Sequence, residues 1–180
     1  MHRGNRDLLN ASTGICVTII TQISWSVQLP NHTGHECVVC HQVNCQGVMG
    51  AGLAAQIRRM FPGVYEDYRR ECEKAAKHSD LLGTVLFYGV KYNGYDYNIA
   101  SIFGQERYGR NGCFTDYDAL RRAMEPIRVM ATPFPAYPLT TVRIPYKMGC
   151  GLGGGDWSIV LKIIQEELAD KGIPVEIWRL

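Results

Sequence analysis

Short apolar runs rich in β-branched residues alternate along this chain with longer segments of helical period. Ile15 to Gln22 (ICVTIITQ) and Glu36 to Val43 (ECVVCHQV) predict strands, because branched side chains suit a pleated, half-buried surface. Val27 to His35 carries Pro30, Asn31 and Gly34 and reads as a loop. Leu53 to Met60 predicts a helix, Pro62 interrupts it, and Val64 to His78 continues with a charged amphipathic pattern. Thr84 to Lys91 and Tyr95 to Phe103 are strand-like and meet at Asn93-Gly94, a pair that accepts the positive φ of a tight hairpin. Asp116 to Met130 is helical, with Thr115 or Asp116 available as its cap, and Pro133 to Pro138 is a turn-rich connection. Thr141 to Tyr146 predicts a strand, Asp156 to Lys171 a helix closed by Gly172, and Val175 to Arg179 a last strand.

Strands alternating with helices imply an α/β sheet covered on both faces, and the hairpin makes that sheet mixed. Ligands of such sheets sit outside the carboxyl ends of the strands, in the strand-to-helix loops. A chain of 180 residues suits one domain with a sizeable core. The domain is expected over residues 15–180, with residues 1–14 as an N-terminal extension.

Composition changes this picture little. A formal net charge of +2 points to neither a nucleic-acid nor a membrane partner, though its sign is compatible with an anionic ligand. Seven cysteines at irregular spacing make a poor disulfide framework, so reduced thiols in a cytoplasmic protein are expected. The uncharged stretch from Leu8 to His35 is broken by Asn10, Ser12, Thr18 and Gln22, too polar for a span or a leader peptide. No membrane partner is expected.

The chemistry gathers in two glycine-rich loops, each between a predicted strand and a predicted helix. The first is Asn44-Cys-Gln-Gly47-Val-Met-Gly50-Ala-Gly52-Leu-Ala. The second is Gly149-Cys-Gly151-Leu-Gly153-Gly154-Gly155-Asp156-Trp157, with five glycines in seven residues. Glycines let backbone N–H groups approach a ligand, and a helix N-terminus behind them favours phosphate. Either loop alone could be a sharp turn. Two at equivalent strand ends could hold a pyrophosphate from both sides. Gly149, Gly151 and Gly154 also fit a dinucleotide fingerprint, with Glu176 about 20 residues on. That reading leaves the first loop unexplained.

At these residues the sequence resembles the macro domain family, which binds ADP-ribose. The likeness is strongest over His41-Gln-Val-Asn44-Cys-Gln-Gly47-Val-Met-Gly50-Ala-Gly52 and over Ile144-Pro-Tyr-Lys-Met-Gly149-Cys-Gly151-Leu-Gly153-Gly154-Gly-Asp156-Trp157. It is similar to the branch holding ADP-ribose-1″-phosphate phosphatase and ADP-ribosyl hydrolases of DNA and protein. The resemblance implies a three-layer α/β/α sandwich. It places Asn44 at the distal ribose and Gly47, Val48, Met49 and Gly50 along the first loop. Gly149, Gly151, Leu152, Gly153 and Gly154 would clasp the diphosphate, with Phe103 beside the ligand. By the same resemblance His41, Asn44 and Asp156 are the catalytic candidates. Two departures stand out. The family's Gly-Asp after the first strand, whose aspartate holds adenine, is missing from Gln22-Ile-Ser-Trp25. Gln105 stands roughly where some hydrolases place a lysine.

Blander roles compete at each candidate. His41 could be a core histidine, sharing a strand face with Cys37, Val39 and Val43, and Asp156 could simply cap a helix. Cys37-x-x-Cys40-His41 suggests zinc, but strand residues three apart face opposite ways, so no metal is expected. Tyr108, Phe103 and Phe114 among glycines read equally as a mobile ligand wall or a surface loop. Arg58, Arg59, Arg69 and Arg70 read as a solvated helix face. The expected function is hydrolysis of an ADP-ribose derivative, the 1″-phosphate first, without cofactor. Release of ADP-ribose from protein or nucleic acid, or reading it without turnover, are the alternatives.

Overall fold

The computed structural model describes residues 5–9, 16–20, 37–92, 94–133 and 139–178. The loop expected over 27–35 and most of the connection after Pro133 lie outside the described residues. Among the described residues seven strands form one sheet: β1 (Asn5–Leu9), β2 (Cys16–Ile20), β3 (Cys37–Asn44), β4 (Val85–Tyr92), β5 (Tyr95–Gln105), β6 (Thr141–Pro145) and β7 (Val175–Trp178). Their order is β1-β2-β7-β6-β3-β5-β4. The five central strands are parallel, and β1 and β4 close the two edges antiparallel to their neighbours. Residues 5–9, placed by sequence in an N-terminal extension, therefore form an edge strand of the sheet. At the hairpin Tyr92 pairs with Tyr95, and Gly94 takes φ +82, the backbone state that a two-residue turn demands.

Helices cover both faces. On one lie α1 (Gly52–Met60) and α2 (Pro62–Lys74), on the other α3 (Tyr117–Ala131) and α4 (Trp157–Glu167). Strand alternation sorts β3 between the two cores. Val38 and Cys40 pack with Leu120, Met124, Ile127, Val160 and Ile164, whereas Cys37 and Val39 pack with Ile57 and Val64. Pro62 at the start of α2 explains why the charged segment is a second helix, since proline suits the first helical turn. Asp116 caps α3, accepting from the N–H of Ala119 at 2.8 Å.

This is the three-layer sandwich with a mixed sheet that the sequence predicts. The chain leaves β3 toward one face, into α1, and leaves β5 and β6 toward the other, into α3 and α4. Divergent exits open a crevice at the carboxyl ends of these adjacent parallel strands. Among the described residues, no helix is long and apolar enough to cross a membrane.

Candidate functional site

The last residues of β3, β5 and β6 are Asn44, Gln105 and Pro145, and all three line one cleft of about 590 Å³. That volume is in the range of small-molecule sites. The first glycine loop forms one wall. Asn44 organises it: Oδ1 accepts from the N–H of Gln46 at 2.9 Å and of Val48 at 3.3 Å, and Nδ2 donates to the Val48 carbonyl at 2.7 Å. From α2, the Tyr68 hydroxyl donates to the Asn44 carbonyl at 2.7 Å. No side chain caps α1, so its first N–H groups are left for the cleft, which Gly50, Ala51 and Gly52 line.

The second loop is a run of tight turns. Cys150 N–H bonds the Lys147 carbonyl at 2.9 Å, Gly154 that of Gly151 at 3.0 Å, and Gly155 that of Gly149 at 3.0 Å. A Cβ on Gly153 would collide with the Gly149 carbonyl, and one on Gly154 with the Gly112 carbonyl, at a φ of +67 that already favours glycine. These two glycines are thus required by packing. Gly151 has open space around its Cβ position and faces the cleft. Lys147, at φ 60, is the one non-glycine in the left-handed region among the described residues, and it too lines the cleft.

Of the residues expected from sequence, His41, Asn44, Val48, Gly50, Gly149, Gly151, Leu152 and Gly153 line the cleft. Gly47, Met49, Gly154, Asp156 and Phe103 are not among its lining. Phe103 is a correction. The register pairs it with Val43, on the face of α1 and α2, where it is fully buried against the Tyr68 ring at 5.7 Å. Met49 packs into the same cluster, and Gly47 turns over Arg69 and Cys72. Both support the first loop from beneath. Of the expected wall, Tyr108 lines the cleft, whereas the Phe114 ring fills the space under Gly109.

His41 is 1% exposed, its Nε2 lies 2.7 Å from Ser101 Oγ, and its Nδ1 has no partner. Burial pushes its pKa down to about 3, so the ring is neutral near neutral pH. Asp156 caps α4, with Oδ1 accepting from both the N–H and the hydroxyl of Ser158 at 2.7 Å. Those bonds hold its carboxyl below the ordinary range, so it stays ionised.

The cleft also takes in Gln42, Gln105, Tyr146, Lys147 and Arg110, which sequence reasoning gave no ligand role. Gln42, Tyr146 and Lys147 lay inside the two segments that carry the resemblance, and Gln105 stood out only as a departure. Gln105 presents a neutral amide where a lysine would bring a nucleophile. Cys37 and Cys40 point to opposite faces, and no cluster of metal-ligating side chains occurs among the described residues. Glu176 lies on β7, bonded to the buried Arg143 at 2.9 Å and to the Trp178 indole at 3.1 Å. It is therefore engaged in the sheet and takes no part in a dinucleotide fingerprint.

No protein-family model matches the chain. A DNA ADP-ribosyl transferase–DNA ADP-ribosyl glycohydrolase fusion protein of Thermosipho africanus is 26% identical over 147 residues, covering 76% of this chain and 36% of that protein. An ADP-ribose 1″-phosphate phosphatase of Meyerozyma guilliermondii is 34% identical over 86 residues, 47% of this chain and 46% of that protein. The phosphatase of Saccharomyces cerevisiae is 24% identical, with 87% and 97% covered. The chain thus spans less than half the length of the first two relatives. Among solved structures, a Bacteroides thetaiotaomicron protein of unknown function has TM-score 0.74 at 26% identity, covering 91% of this chain and 99% of that one. A macrodomain protein of Streptomyces coelicolor has TM-score 0.63 at 28% identity, covering 83% and 90%. The sheet order, the two glycine loops and these likenesses agree, and the chain has the fold of a macrodomain.

Proposed function

We propose that the cleft binds ADP-ribose between the two glycine loops and hydrolyses a group attached to its distal ribose, the 1″-phosphate being the first substrate to try. One observation carries the reading: residues of both glycine loops line one cleft of about 590 Å³, with an uncapped helix N-terminus behind the first of them. Asn44 commits one amide hydrogen to Val48, leaving the other for a ribose hydroxyl. Asp156, ionised and exposed where the second loop ends, just outside the residues that line the cleft, is the candidate base for water. His41, locked neutral, orients rather than shuttles. The likeness to two ADP-ribose 1″-phosphate phosphatases supports this assignment.

Calorimetry with ADP-ribose, AMP and NAD, followed by phosphate release from ADP-ribose 1″-phosphate, tests it. Asp156→Asn keeps a helix cap but removes the charge. The expected outcome is intact ADP-ribose binding with turnover reduced about 100-fold or more. Full turnover in Asp156→Asn would leave that residue a cap alone, and wild-type protein that binds without turnover would be a reader.

A second reading is favoured by the rim. Arg107 and Arg110 are exposed and form no ion pair among the described residues, and Tyr108 between them is 53% exposed. Free cations around an exposed ring suit a single-stranded nucleic acid that carries the ADP-ribose. Arg107→Glu should weaken binding of an ADP-ribosylated oligonucleotide and flatten its salt dependence, while free ADP-ribose binds as before. Equal losses for both ligands would count against this reading.

A further inference from the structure

From Gln42 and Gln105 in the cleft lining to the buried Thr115 runs a polar chain that neither glycine loop explains. Gln42 on β3 stands at its centre. Its Nε2 forks, donating to Gln105 Oε1 at 2.8 Å and to Thr115 Oγ1 at 3.0 Å. The Thr115 hydroxyl then donates to the Gly149 carbonyl at 2.6 Å, and Gln105 Nε2 donates to the Arg107 carbonyl at 3.0 Å. Every donor points outward from Gln42, which fixes the orientation of both amides and the rotor of the hydroxyl. The chain therefore joins β3, the end of β5, the residue before the α3 cap and the second glycine loop. Each of those segments supplies part of the cleft or holds up one that does.

The packing is as close as the hydrogen bonding. A Cβ on Gly149 or Gly104 would strike the Gln42 amide, and one on Gly153 or Gly155 would press on Thr115. Several glycines are thus seated on this polar chain. Thr115 also brings its backbone to the loop, its N–H bonding the Gly153 carbonyl at 3.0 Å beside that of Phe114 at 2.7 Å.

We propose that Gln42, Gln105 and Thr115 act as a positioning brace that sets the height and spacing of the second glycine loop, and so the preference for a two-phosphate ligand over a one-phosphate one. The ligand half of this inference rests on the ADP-ribose reading above. None of the three is assigned a chemical step. They act through the loop, holding its N–H groups where a pyrophosphate would sit. Preorganised donors bind and stabilise charge without first having to reorganise.

Thr115→Val removes the hydroxyl and keeps the shape, Thr115→Ser keeps the hydroxyl, and Gln42→Met removes the fork. Each is measured for ADP-ribose and AMP affinity, melting temperature, and hydrogen exchange of residues 149–156 without ligand. Thr115→Val and Gln42→Met should lose about tenfold in selectivity for ADP-ribose over AMP, in line with one broken hydrogen bond and the partners it strands. Exchange across the second loop should quicken in both, and Thr115→Ser should stay within about twofold of wild type. Unchanged selectivity and exchange in Thr115→Val would overturn the brace, as would failure of Thr115→Ser to restore them. Equal losses for both ligands with a lowered melting temperature would reduce the three residues to general stability. If wild-type protein ignores ADP-ribose, the functional reading falls with the ligand half of this inference, while exchange still decides whether the brace holds the loop.

Discussion

An unfolded histidine takes up a proton near pH 6.5, and His41 in its buried place does so only at about pH 3. Between those values the unfolded chain binds the extra proton, so acid favours unfolding. The sign is a loss of stability on acidification, by up to about 1.4 kcal/mol per pH unit from this residue alone. Urea midpoints at pH 7.5 and 5.0 should show it, and His41→Gln should flatten the difference. An equal pH slope in that variant would mean the imidazole is reached by water after all. Arg143 is a sharper case. It is 5% exposed, paired with Glu176 and lying over the Trp178 ring at 4.6 Å. Glu176→Ala would strand that guanidinium in the sheet, and about 3–5 kcal/mol should disappear from the unfolding free energy. A loss below about 1 kcal/mol would show that water reaches the arginine and screens the pair.

At the scale of elements, the two glycine loops were legible in the sequence because glycines crowded between a strand and a helix cost more chain entropy than a plain turn requires. Which glycine serves the ligand and which serves the fold was not legible, since both look alike until their neighbours are known. The structure separates them. Gly151→Ala adds a methyl to open space inside the cleft and should leave the melting temperature unchanged while weakening ADP-ribose binding. Gly154→Ala forces a methyl against the Gly112 carbonyl at positive φ and should lower the melting temperature itself. Similar melting temperatures for the two variants would contradict that division. Strand β1 was hidden for a different reason. Asn5, Arg6 and Asp7 give no apolar alternation, and the segment is a strand because its backbone pairs with β2. Phe103 was misplaced because an aromatic at a strand end suggests a ligand, whereas register decides which face it takes.

Across the whole molecule, the alternation of strands and helices fixed the layers, and the strand-end rule found the cleft without knowledge of the sheet order. The brace could not be read that way. Gln42 and Thr115 lie 73 residues apart, and only the pairing of β3 with β5 and the return of β6 bring their partners together. Tyr68 makes a similar long link, from α2 to the carbonyl that opens the first loop, and Gly47 of that loop rests on Cys72 one turn along the same helix. Cys45 and Cys72 are free thiols, each under 5% exposed, sealed beneath this lid. A thiol-modifying reagent can reach them only when the lid lifts, so the speed of labelling becomes a stopwatch for loop opening. A ligand that pins the loop would stop the watch without ever touching either sulfur.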